Sequence, residues 1–81
     1  MKSLDKMKVG ERAYIVDVTN SLLYEKLFEL GVMPGAMVEL TYRSELNNSV
    51  IVKINGCTFN IYKPAAETII TNAILFEAAL N

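Results

Sequence analysis

The sequence predicts a mainly β fold: a small, partly open barrel of about five strands, with one short helix between strands 1 and 2. Three observations carry it. Short runs of apolar residues at strand period recur between turn residues, and Asn55-Gly56 stands between two of them. A single run with helical period, NSLLYEKLFELGVMPG from Asn20 to Gly35, interrupts the β pattern.

The opening from Leu4 to Gly10 places Leu4, Met7 and Val9 among charges and reads as a lid across one end of the barrel. Glu11 to Val18 is the first strand, with Ala13 and Ile15 on one face and Tyr14, Val16 and Val18 on the other, which suggests cover on both sides. The helix follows. Asn20 or Ser21 caps its start, because a short side-chain oxygen accepts from an N–H group that the first turn leaves without a partner. Leu23, Leu27 and Leu30 fall within roughly 60° of one another at about 100° per residue, so they form one stripe. Each is a core candidate worth about 1.5–3 kcal/mol on burial. Gly31 supplies the left-handed residue that stops the helix. Pro34 and Gly35 suit the central positions of a type II turn.

Ala36 to Arg43 alternates, with Val38, Leu40 and Tyr42 expected inside and Met37, Glu39 and Thr41 outside. Ser44 to Ser49 is polar and reads as an exposed loop. Asn55-Gly56 then predicts a type I′ hairpin that pairs Ile54 with Cys57, Val52 with Phe59 and Val50 with Ile61, all on one face. Pro64 to Glu67 reads as one helical turn and Thr68 to Thr71 as a closing strand. The tail 72–81 carries a candidate short helix from Ala73. Strands and helices in this order fit an SH3-like barrel, one domain over 1–81.

Composition narrows the function classes. The 81 residues are 52% apolar with a net charge of −1, so the chain is globular, and its eight basic residues are scattered where nucleic-acid binding needs them clustered. Cys57 is the sole cysteine, which excludes an internal disulfide and fits a reducing compartment; a cytoplasmic protein is expected. Its bland reading is a small buried hydrophobe on the inward face of the hairpin. No stretch has signal-peptide or bilayer-spanning character, so contact with a membrane would run through a partner. The chain has no histidine, and no spacing converges on a transition metal, so neither a metal site nor a cofactor is expected. Asp17, Glu25 and Glu29 read as a solvated face. No nucleophile with a base, carboxylate dyad or phosphate-cradling loop occurs, and an enzyme is not expected.

The run Leu27-Phe28-Glu29-Leu30-Gly31-Val32-Met33-Pro34-Gly35 resembles the leucine-x-glutamate-leucine-glycine-x-x-proline-glycine signature of the FeoA family, small cytosolic companions of the bacterial ferrous iron transporter FeoB. The resemblance extends from Leu4 to about Thr71 through Gly10, Ala13, Ile15, Asn55-Gly56, Ala66 and Ile69. Tyr62 and Lys63 occupy the region where the family often carries an arginine, and the loop Ser44 to Ser49 lacks its usual glycine and proline. The resemblance implies an accessory, regulatory adaptor of ferrous iron uptake that binds the cytosolic part of FeoB. Tyr24 and Phe28 lie on one flank of the helix, roughly 100° to 140° from the leucine stripe. They either pack under a loop or present aromatic rings to the partner; in the second reading Met33, Pro34 and Gly35 join the contact. Leu23, Leu27, Leu30, Gly31, Asn55 and Gly56 are then structural. Weak self-association stays open. The rival readings are the SH3-like C-terminal domain of an iron-dependent repressor, whose helix-turn-helix module 81 residues do not accommodate, and a small protein-interaction or RNA-binding barrel, which lacks a basic, aromatic-lined face.

Overall fold

Six antiparallel strands make one sheet among residues 1–74, which the computed structural model describes. They are β1 (Lys2–Ser3), β2 (Arg12–Val18), β3 (Met37–Ser44), β4 (Ser49–Ile54), β5 (Cys57–Tyr62) and β6 (Ile69–Ala73). A 3-10 turn at Leu4–Lys6 follows β1, α1 (Ser21–Glu29) follows β2, and α2 (Lys63–Ala66) precedes β6. The order across the sheet is β1-β6-β2-β3-β4-β5, so β1 and β5 are its two edges and the barrel is not closed by hydrogen bonds. The mainly β, partly open architecture agrees with the sequence. The extra strand is β1, two residues that pair Lys2 with Thr71 and Ser3 with Ile70. A segment that short has no alternation to read.

The hairpin has the register that Asn55-Gly56 dictates. Those two residues sit at φ of +53° and +80°, and the pairs Ile54 with Cys57, Val52 with Phe59 and Val50 with Ile61 all form. Burial along them is uneven. Val50, Val52, Ile54 and Ile61 are in the core and Phe59 is half-buried, whereas Cys57 is exposed. Alternation predicts an inward cysteine, but Cys57 stands exposed at the tip of an edge strand, next to the turn.

Two bulges correct the strand faces. Between Ile15 and Asp17 the β2–β6 register shifts and Val16 is left without an opposing residue. Ala13 and Ile15 are buried, Tyr14 and Val16 are exposed, and after the shift Val18 joins the core side. The strand is therefore covered on one face, not two. The second shift lies between Leu40 and Tyr42, at Thr41, whose hydroxyl donates to the Ile51 carbonyl at 3.0 Å. Val38 and Leu40 are fully buried, but Tyr42 is exposed and Arg43 takes the inward direction.

The opening segment closes one end of the core, with Leu4 and Met7 buried and Val9 exposed. Lys63 begins α2, with Pro64 in its first turn and Ala66 buried under it. Asn72 and Ala73 belong to β6, opposite Tyr14 and Ala13, so no helix starts at Ala73. The rest of the tail, 75–81, lies outside the described residues.

Candidate partner surface

Helix α1 is short because its ends are both capped. Asn20 Oδ1 accepts from the Leu23 N–H at 3.0 Å. At the other end the Gly31 N–H donates to the Phe28 carbonyl at 2.9 Å and the Val32 N–H to the Leu27 carbonyl at 2.8 Å, with Gly31 at φ +82°. This pair of bonds is the Schellman arrangement, in which a glycine turns the chain left-handed and lets the next residue meet the last helical turn. That next residue is Val32, which is buried together with Leu27. The helical spacing makes Leu30 the third member of the apolar stripe, yet it is 64% exposed. The physical reason is that the helix ends at Glu29: Leu30 is the cap residue, at φ −90° and ψ 6°, and Val32 fills the place beside Leu27. Leu23 is half-buried against the core.

Past the helix, the Ala36 N–H donates to the Met33 carbonyl at 3.0 Å across Pro34 and Gly35, with Gly35 at φ +100°, which is the type II pattern. The turn is held to β2 by two bonds, from the Gly35 N–H to the Ile15 carbonyl at 2.7 Å and from the Ile15 N–H to the Ala36 carbonyl at 2.9 Å. Asn55 of the hairpin tip reaches across and donates to the Gly31 carbonyl at 3.4 Å. Helix, turn and hairpin tip are thereby joined at one end of the barrel.

Toward solvent this unit presents Tyr24 at 37% and Phe28 at 56% exposure, with Met33, Pro34 and Gly35 also exposed. Tyr24 and Phe28, one helical turn apart, line a shallow depression of about 350 Å³ with Glu25 and Glu29. Of the two readings of these rings, the exposed one describes their position; they do not fill the core. The surface offers aromatic area and carboxylates. It offers no proton-transfer pair, and among the described residues no three His, Cys, Asp or Glu side chains come together as a metal site.

Two charged contacts that sequence reasoning did not single out hold the lid. Arg43 donates to the Asp5 carbonyl and the Met7 carbonyl, each at 2.7 Å, and its guanidinium lies 3.4 Å from the Asp5 carboxylate, which is buried. The partners are 38 residues apart, and nothing local in the sequence links them. Glu11 accepts from the Lys8 N–H at 2.9 Å and from the Lys2 ammonium at 3.0 Å; the backbone bond first, and the ammonium second, hold its carboxyl below the usual glutamate value of 4.5.

A family model described as the FeoA domain matches residues 2–72. No curated protein matches the chain. Among solved structures, an iron uptake regulatory protein (FeoA) superposes with a TM-score of 0.75 at 23% identity, over 90% of this chain and 96% of that one. The FeoA protein of Chlorobium tepidum gives 0.83 at 24% identity, over 93% and 72%. A manganese-dependent transcriptional repressor gives 0.78 at 16% identity, over 90% of this chain and 41% of the repressor. At these identities the three structures speak for the fold.

Proposed function

The chain belongs to the FeoA family, whose role is in ferrous iron transport, and from that premise we propose that it is an accessory, regulatory adaptor that binds the cytosolic part of a FeoB-type transporter. The observation that carries the reading is the exposed pair Tyr24 and Phe28 on a helix rigidly capped at both ends. Rigid aromatic side chains bury large area at low entropic cost, which makes them good anchors. The family is a non-catalytic accessory domain, and a chain of this kind acts through a surface. Met33, Pro34 and Gly35 extend the contact beside the rings. No helix among the described residues is long and apolar enough to cross a membrane. The repressor reading rests on shared fold alone at 16% identity and has no site residue in its favour.

Tyr24→Ser and Phe28→Ser test the proposal by capture of the purified cytosolic domain of FeoB and by thermal unfolding. Each loses binding at least tenfold while the unfolding midpoint stays near that of the unaltered chain. Binding that survives both substitutions moves the interface to another surface, and a collapse in stability assigns the rings to the core.

A further inference from the structure

The two edges of the sheet are built differently. Edge β1 is two residues long, begins with Lys2 and turns at once into a 3-10 helix, all features that discourage another strand from pairing with it. Edge β5 has none of them. Its sequence, CTFNIY, carries no charge, proline or glycine, and its six consecutive pairs with β4 contain no bulge, unlike the β2–β6 and β3–β4 ladders.

The hairpin register also says which backbone groups β5 leaves over. In a two-residue hairpin the pair flanking the turn exchanges both hydrogen bonds, and every second pair after it does the same. Cys57, Phe59 and Ile61 therefore direct their N–H and C=O groups at β4, and the bond from the Lys63 N–H to the Asn48 carbonyl at 2.8 Å continues the same parity. Thr58, Asn60 and Tyr62 direct theirs away from β4. The Tyr62 carbonyl caps α2 as the acceptor of its first helical bond; among the described residues nothing bonds to the other five groups, and all three side chains are exposed.

We propose that β5 is a self-association edge, on which a second copy of this chain adds its own β5 antiparallel about a twofold axis through Asn60. This register sets Asn60 against Asn60, which exchange both of their bonds, and on each side sets the Tyr62 N–H of one copy against the Thr58 carbonyl of the other. Phe59 then faces Ile61 across the joint, which covers a ring that is half-buried in the single chain. The occupant is a second copy because β5 suits itself. A neutral strand paired antiparallel with its twin opposes no like charges, and a net charge of −1 adds little long-range repulsion between copies. The edge lies on the hairpin and uses none of the aromatic helix residues, so the proposal is independent of the transporter reading.

Sedimentation of the full chain over rising concentration reads the association, and two variants read its geometry. The chain is expected to form a reversible dimer. Asn60→Lys, at an exposed position, sets two ammonium groups opposite one another and weakens dimerisation at least tenfold, with recovery in high salt. In the Cys57→Ser background, Asn60→Cys brings two thiols to a strand-pair separation of about 5.5 Å between Cα atoms, within disulfide reach, so mild oxidation cross-links it. Cys57 in the unaltered chain does not cross-link, because it opposes position 63 and lies about 20 Å from its twin at strand rise. A chain that stays monomeric at every concentration, a dimer indifferent to Asn60→Lys, or oxidation that joins Cys57 in place of Asn60→Cys would overturn the proposal.

Discussion

Gly31 shows how much can rest on one dihedral angle. At φ +82° it occupies a conformation that side chains rarely adopt, yet a Cβ there would meet nothing within 4 Å. Any cost of substitution is therefore backbone strain, not collision. Gly31→Ala is expected to lose about 1–2 kcal/mol and Gly31→Val more, since β-branching narrows the left-handed region further. Denaturant unfolding reads the difference, and an unshifted midpoint for the valine variant would mean that the Schellman turn re-forms without its glycine. Glu11 gives a second, pH-dependent reading. Its carboxyl is held below 4.5 in the folded chain, so its contribution is present above the unfolded value and is lost as pH falls through the lower, folded value. The stability gap between the unaltered chain and Glu11→Gln should be constant from neutrality down to about 4.5 and shrink below it. A gap that grows toward acid would reverse the sign.

At the scale of elements, what the sequence makes legible is whatever local chemistry decides. The hairpin register follows from Asn55-Gly56, the helix stop from Gly31, and the type II turn from Pro34-Gly35; each was readable because the residue type and the backbone angle imply one another. Period-two reading failed where a bulge changes the phase. Tyr42 and Val18 changed sides because Thr41 and Val16 are extra residues in their strands, and nothing in Val16 or Thr41 marks a bulge. Leu30 failed for a related reason. A helical stripe predicts burial only while the helix lasts, and this one ends at Glu29. The aromatic pair was legible as a shared flank, but whether it faced core or solvent depended on how α1 sits against β2. With both rings exposed, one further outcome follows for the element: Leu27→Ala should cost roughly 2–5 kcal/mol as a buried truncation, whereas Leu30→Ala should stay within about 0.5 kcal/mol. Parallel unfolding of the two leucine variants checks this, and equal losses would restore Leu30 to the core.

The whole molecule depends on a contact that no stretch of sequence announces. The sheet leaves one end of the core open, and the segment from Leu4 to Met7 covers it with two fully buried side chains. A segment so short has little hydrogen bonding of its own, and the 3-10 turn directs carbonyls that need donors. Arg43 supplies them. The bulge at Thr41 changes the phase of β3 so that Arg43 points to the lid, where it satisfies the carbonyls of Asp5 and Met7 and lies against the buried Asp5 carboxylate. Bulge and latch thus form one device: without the extra residue, Tyr42 would take the inward side and the lid would lose its donor. Truncating Arg43 to methionine keeps the apolar stem and removes all three bonds, leaving a buried carboxylate without its partner. The expected loss is about 3 kcal/mol, the low end for a broken buried pair, because the guanidinium is 29% exposed and keeps some solvent. Asp5→Asn should cost less, since Arg43 still donates to both carbonyls. Denaturant unfolding orders the two, and amide exchange at Met7, whose N–H donates to the Leu4 carbonyl at 3.1 Å, should accelerate in Arg43→Met more than in Asp5→Asn. The reverse order would make the carboxylate, not the carbonyl bonds, the principal hold on the lid.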